Sequence, residues 1–372
     1  MALLARAREL EAGGADIIHM EIGEPDFATA APVREAGRQA LADGLTGYQP
    51  AAGLPALREA IAGHYQRAYK VSVDPGRILI TPGASGALLV ALAMLADPGR
   101  NVLLPDPGYP CNRNFVEAVD AVPRAVRVDA GTDYQLTPGL AAAACDERTA
   151  AMLVGSPGNP TGTLASAADL AGLAALGERR GIGLIVDEIY HGLHYDGVPA
   201  QALAHAPEAI VVNSFSKYFG MTGWRLGWMV VPTDWVPVAE KLMQNLFISA
   251  STPAQYAALA CFTPASQAIF EERRAAFRRR RDDLLPALRD LGFHIPGNPA
   301  GAFYLYADIT ALGDDSTELA HGLLEQAGVA VTPGLDFERT APERHVRFAY
   351  TTNTDRLGEA VRRIERFLAA GG

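Results

Sequence analysis

An α/β fold with a mainly parallel sheet flanked by helices, joined to a smaller α+β domain, is predicted from three observations. From Arg77 to Val231, short apolar runs bounded by Gly, Pro or Asp alternate with longer helical patterns, which is the signature of βαβ units. Beyond about Leu284 the rhythm changes to a few strands separated by helices. The length, 372 residues, exceeds what one small core organises.

The elements follow in chain order. MALLARARELEAGG reads as an amphipathic helix that begins abruptly, as it would if a longer arm preceded it; its arginines follow only two leucines, without the apolar core of a signal peptide. IIHMEIGEPDF is expected to cross between the two domains. The strand candidates of the large domain are RILIT, NVLLP, AMLVG, GLIVD, AIVVN and LGWMVV. GAFYLYADI, VAVTPG and HVRFAY are the strands of the small one. A terminal helix begun by Thr354 carries Leu357, Val361, Ile364 and Leu368 on one face. The expected division is 1–40 for the N-terminal segment and part of the small domain, 41–283 for the large domain and 284–372 for the C-terminal small domain.

Composition narrows the function classes. Hydrophobic residues make up 49% and charged residues 20%, and the longest apolar stretch, Gly86 to Ala96, is short of the roughly 20 residues a bilayer span needs. A formal charge of −10 argues against nucleic acid or an anionic membrane as a general partner. The basic run Arg278 to Arg281 lies between acidic residues and reads as a solvated, salt-bridged helix face. Three scattered cysteines, Cys111, Cys145 and Cys261, suggest neither a disulfide framework nor a zinc site, which suits a reducing cytoplasm.

The chemistry concentrates in NSFSKYFGMTGWRLGW, Asn213 to Trp228. A lysine at the end of an apolar strand is either a snorkelling edge residue or a reactive amine. Ser214 and Ser216 flank Lys217 with hydroxyls, and Arg225 offers a planar fork suited to phosphate. In TPGASGAL, Thr81 ends a strand and Gly83, Ala84 and Ser85 open a helix whose N–H groups face an anion. GLIVDEIY delivers Asp187 from a buried strand, where an unpaired carboxylate is costly and a cationic ring nitrogen fits, with Tyr190 three residues on. VGSPGNPTG presents Asn159 from a turn. One phosphate held by two donor clusters beside an amine points to pyridoxal phosphate chemistry. Taken singly, each feature has a bland reading: a buried Asp can cap a helix, and an NP turn is often only a turn.

The string IGEPDF, YQPAAGLPALREAI, PGASGA, PDPGYP, SPGNPTG, VDEIY, SFSKYFGMTGWRLGW and HVRFAY, in one order over nearly the whole chain, resembles the fold-type I pyridoxal-phosphate enzymes of the class I/II aminotransferases, the aspartate aminotransferase superfamily. The resemblance implies a homodimeric transaminase that carries an amino group between an L-amino acid and a 2-oxo acid. Lys217 would be the Schiff-base lysine and proton carrier, Asp187 the partner of the pyridine nitrogen, and Tyr109 the residue stacked on the ring. Asn159 and Tyr190 would bond the phenolic oxygen. Gly83, Ala84, Ser85, Ser214, Ser216 and Arg225 would surround the phosphate, with Tyr48 reaching it from the other subunit. Arg347 would take the substrate α-carboxylate, helped by Asn159 and the backbone near Gly23.

Rival readings are weaker. Ser214 to Lys217 matches SxxK, but neither KTG nor SDN occurs. A metal set of Asp187, Glu188, His191 and His194 lacks HExxH, and those histidines read as solvated loop residues, so no metal is expected. A carbon–sulfur β-lyase of the same fold or a non-catalytic sensor domain would share the frame. KLMQNLFISASTPAQ contains no arginine to meet a distal carboxylate, which puts aspartate specificity in doubt; Arg113, four residues after Tyr109, is a conceivable substitute, though it reads more readily as a surface helix residue.

Overall fold

A computed structural model describes residues 2–371. Its strands are β1 (Ile18–His19), β2 (Ile78–Thr81), β3 (Asn101–Asp106), β4 (Val122–Arg127), β5 (Thr149–Gly155), β6 (Gly183–Asp187), β7 (Ile210–Ser214), β8 (Gly227–Val230), β9 (Tyr304–Asp308), β10 (Val329–Ala330), β11 (Thr332–Pro333) and β12 (His345–Ala349). Seven of them form the central sheet in the order β2-β8-β7-β6-β5-β3-β4. Only β8 runs antiparallel to its neighbours. Along β6, Leu184 and Val186 enter one core layer while Ile185 enters the other. Both faces are covered, which is why these strands read as continuous apolar runs.

All six strand candidates of the large domain lie in this sheet. The seventh, β4, is missed by the sequence reading because VPRAVR is an exposed edge strand that carries Arg124 and Arg127 in place of an apolar run. In the small domain β11, β12 and β9 form an antiparallel sheet, and β1 pairs in parallel with β10, so the IIHMEIG segment begins in the small domain. VAVTPG supplies two short strands, β10 and β11. The terminal helix, Thr354–Ala369, starts at the expected Thr354 and is capped by Asn353, whose side chain accepts from the Arg356 N–H at 2.9 Å.

The helix Pro264–Asp290 is 27 residues long, and the expected division at 283/284 falls inside it. The basic run on this helix is only half solvated. Helical periodicity turns Arg280 and Arg281 inward with Phe277 and Leu284, and both guanidiniums are buried. Arg280 forms a bidentate pair with Asp26 at 2.7 and 2.8 Å, and Arg281 pairs with Asp196 at 2.5 Å. His191 and His194 are likewise buried instead of solvated. Their loop folds back on the molecule, with the Tyr195 N–H bonding the Ala300 carbonyl at 2.9 Å.

The register aligns the chemically suggestive positions. Thr81 and Ser214 both pair with Gly227, and Asp187 pairs with Gly155, so the carboxyl ends of β2, β5, β6 and β7 share one edge. Gly227 is required there: a Cβ would stand 2.7 Å from the Gly83 carbonyl carbon and 2.8 Å from the Ala84 nitrogen. The glycine lets β8 close on the start of the helix Gly83–Leu95.

Candidate active site

At that edge lies a cavity of about 300 Å³, roofed by the segment around Gly23 and by β9 and β12 of the small domain. Gly23, Ala84, Ser85, Tyr109, Asn159, Asp187, Tyr190, Lys217 and Arg347 all line it.

Lys217 extends from the loop after β7, and its Nζ donates to the Gly23 carbonyl at 2.6 Å. Burial lowers its pKa to about 8; Arg347 and Arg225 push in the same direction, while Glu24 and Asp187 oppose. Asp187, at the end of β6, is buried and accepts only the Ile189 N–H, at 3.0 Å, on one oxygen. Burial raises its pKa to about 6, against the backbone bond and the nearby lysine. A carboxylate in that setting calls for a cationic partner inside the cavity.

Arg347 projects from β12. Its Nη1 donates to Asn159 Oδ1 at 3.0 Å, and its Nη2 donates to the Glu21 carbonyl at 2.6 Å and to Thr332 Oγ1 at 3.3 Å. Its Nε has no partner and is buried. The guanidinium carbon lies 4.3 Å from the Tyr304 ring centre and 4.6 Å from that of Phe337. Tyr304 also bonds the Tyr190 hydroxyl at 2.9 Å and packs under Gly23 so closely that any side chain there would collide with its hydroxyl.

The remaining expected residues stand behind or outside the cavity. The helix Gly83–Leu95 starts without a side-chain cap, so its first N–H groups are open to an anion at Ala84 and Ser85. Arg225 sits against this start: a Cβ on Gly83 would lie 2.7 Å from its Nη2. Ser214 Oγ donates to Ser216 Oγ at 2.9 Å, both buried beside Lys217. Tyr48 does not touch the cavity and is 80% exposed. Its loop is tied to the start of the helix Thr252–Leu259 by Thr252 Oγ1 donating to the Gly47 carbonyl at 2.6 Å, and to Ser249, next in sequence to the exposed Ile248, by the Gln49 N–H at 3.4 Å.

Tyr304, Phe337, Tyr134, Gln135 and Asn112 escaped the sequence reading. Tyr304 and Tyr306 alternate on β9 in a strand that looks like packing, so nothing local distinguishes the one that faces the cavity. Arg113, weighed as a substrate contact, does not line this cavity; its guanidinium donates to the Asp336 and Phe337 carbonyls at 3.1 and 3.5 Å. The geometry suits a planar ring with a cationic nitrogen against Asp187, an electrophile within reach of the Lys217 amine and a phosphate at the helix start.

Comparison with known proteins agrees with this geometry. Residues 15–364 match the family model for aminotransferase class I and II. The chain is 37% identical over 364 residues to a valine–pyruvate aminotransferase of Mycobacterium tuberculosis, covering 97% of this chain and 94% of the relative. It is 38% identical over 371 residues to an aspartate/prephenate aminotransferase of Thermus thermophilus, covering 99% and 95%. A crystal structure of an aminotransferase from Mycobacterium tuberculosis superposes with a TM-score of 0.96 at 36% identity, over 100% of this chain and 96% of that one.

The lowered pKa of Lys217 has a direct test in cofactor-free protein, because the chain contains only three lysines, Lys70, Lys217 and Lys241. Peptide-resolved amine labelling against pH should give Lys217 a midpoint near 8. Asp187→Asn should move that midpoint down, since it removes a neighbouring anion, and Arg225→Ala should move it up, since it removes a cation. A midpoint unmoved from the ordinary lysine value of about 10.4 would disprove the dry environment assigned to Lys217.

Proposed function

The chain belongs to the class I and II aminotransferases; it is a pyridoxal-phosphate transaminase acting on an amino acid and a 2-oxo acid, and we propose the residue roles that follow. The carrying observation is the convergence of Lys217, Asp187 and Arg347 on one cavity beside an uncapped helix start. The residues present fit the cofactor: the under-bonded, buried Asp187 matches a protonated pyridine nitrogen, and the Ala84–Ser85 N–H groups with Arg225 match a phosphate. When bound, pyridoxal phosphate supplies an electron sink for the pair left by loss of the substrate Cα proton.

Lys217 would hold the cofactor through its amine and, in the neutral form, would take the proton from the substrate Cα; burial makes that neutral form accessible near pH 8. Asp187 keeps the ring nitrogen protonated. Arg347 commits Nη1 to Asn159 and Nη2 to the Glu21 carbonyl and Thr332, which leaves one Nη1 N–H and the buried Nε N–H for the α-carboxylate, with the rings of Tyr304 and Phe337 beside its plane. Because Asn159 Oδ1 accepts from Arg347, its amide N–H₂ is the end left to meet the phenolic oxygen together with Tyr190. Tyr109 covers the ring. No helix in the described residues is long and apolar enough to cross a membrane; we place the enzyme in the cytoplasm.

Two experiments test the catalytic assignment. Borohydride reduction of the yellow protein should fix the cofactor mass on Lys217 alone of the three lysines. Lys217→Ala should still bind cofactor through its phosphate contacts and lose transamination by several orders of magnitude. Normal turnover in that variant would end the assignment.

Side-chain specificity follows from the cavity wall. Its lining cations are Lys217 and Arg347, with Arg113 engaged elsewhere, so a second substrate carboxylate would be buried without a partner. Neutral aliphatic or aromatic amino acids are therefore expected to be donors at least as good as aspartate, in line with the valine and pyruvate of the Mycobacterium relative's name. A donor screen with pyruvate and 2-oxoglutarate checks this; a strong preference for aspartate, abolished by Arg113→Ala, would overturn it.

We place Tyr48 in the partner's phosphate site of a homodimer. An 80% exposed tyrosine whose neighbour Gln49 bonds Ser249, next in sequence to the exposed Ile248, is a surface suited to a two-fold contact. Tyr48→Phe should weaken cofactor binding by about 1 to 3 kcal/mol. Mixing that variant with Lys217→Ala should create heterodimers with one intact site, restoring normal cofactor affinity and turnover to a fraction of the sites. No recovery on mixing would show that Tyr48 serves its own chain or neither.

A further inference from the structure

Asp106 is a second buried carboxylate at the carboxyl edge of the sheet, only 2% exposed, and it does not line the cavity. Its two oxygens accept the Arg339 N–H, each at 3.1 Å, and one of them accepts the Thr340 N–H at 3.2 Å and hydroxyl at 2.8 Å. These donors belong to the small-domain loop that follows β11. The large domain grips the same loop twice more: Arg113 donates to the Asp336 and Phe337 carbonyls, and the Gly108 N–H donates to the Phe337 carbonyl at 3.1 Å. On its own side the loop is anchored by Glu338, which accepts the Tyr306 hydroxyl at 3.0 Å and pairs with His345.

The loop's one aromatic residue, Phe337, is buried and forms one of the two rings that sandwich the Arg347 guanidinium. With Nε unpartnered, the plane of Arg347 is set by its Nη bonds and by those two rings. We propose that Asp106 is a positioning residue for carboxylate recognition: by holding residues 336–340 to the large domain it keeps Phe337 seated on Arg347. Loss of that grip frees the ring to move away, and the guanidinium then samples orientations in which its N–H bonds no longer converge on the substrate. The inference rests on the reading of Arg347 as the α-carboxylate ligand.

Asp106→Asn places an amide N–H₂ where N–H donors now point, and in steady-state kinetics it should raise KM for the amino donor and the oxo acid by the same factor, about tenfold or more, with little change in kcat. Cofactor absorbance at saturation and Tm should stay near wild type. Phe337→Leu should give the same pattern, and Phe337→Tyr, which restores a ring, should return KM to the wild-type value. Adding Asp106→Asn to Phe337→Leu should cost little more than either alone, because both act through one contact. Should Asp106→Asn fail to fold, Thr340→Val, which removes only the hydroxyl donor, should show a smaller equal rise in both KM values. Unchanged KM, a rise for one substrate only, or multiplying effects in the double variant would overturn the proposal. Arg347→Lys measured alongside separates the two claims: if it weakens every substrate while Asp106→Asn weakens none, only the positioning role fails, and if it weakens none, the reading of Arg347 fails with it.

Discussion

Lys217 is an amine held largely out of water, and the rest of the site is arranged around that constraint. Burial alone makes a charged lysine expensive and so shifts any lysine toward its neutral, nucleophilic form. The structure resolves this by surrounding the amine with groups of both signs: Arg225 and Arg347 favour the neutral form, while Asp187 and Glu24 limit how far the depression goes. The resulting pKa near 8 leaves the residue within reach of both protonation states at neutral pH, as the proposed role of proton carrier requires.

The same low-dielectric pocket dictates the other components. Asp187 sits at the end of a buried strand with a single hydrogen bond, and burial raises its pKa to about 6 in spite of that bond and the nearby Lys217, which is the setting the proposed cationic partner would relieve. Arg347 avoids the same cost by spreading its charge over two aromatic faces, an amide oxygen and a backbone carbonyl. One of those contacts comes from Glu21, one from the loop after β5 and two from β9 and the loop after β11, so the Arg347 side of the cavity is assembled from residues more than three hundred positions apart.

This distribution explains what was legible in the sequence. Lys217, Asp187, Asn159 and the Gly83–Ser85 turn each sit where an apolar run stops, so the strand pattern and the chemistry point to the same positions, and six of seven sheet strands were readable for the same reason. Tyr304 lies inside an apolar strand and Phe337 between Asp336 and Glu338, and only the tertiary packing turns their rings toward a guanidinium. Edge strand β4 lacked an apolar run, and the inward turn of Arg280 and Arg281 was hidden because charge composition does not report which face of a helix carries its partner. Tyr48 carried no local signal at all; its placement came through family resemblance, and its exposure is what the monomer adds.

The helix Pro264–Asp290 sets the mechanics of the molecule. At roughly 1.5 Å per residue it is a beam about 40 Å long. Arg281 bolts it to Asp196 on the large-domain side and, in the adjacent position, Arg280 bolts it to Asp26, three residues beyond the carbonyl that Lys217 touches. Five residues beyond Arg281 the helix contains Pro286, which has no N–H for the helical hydrogen-bond ladder. Any swing of one domain on the other would bear on Pro286 and on the helix ends near Thr263 and Leu291, and it would reach the Gly23 roof of the cavity through the Arg280–Asp26 pair, the Arg273 bond to the Ala28 carbonyl at 2.7 Å and the packing of Phe277 on Phe27.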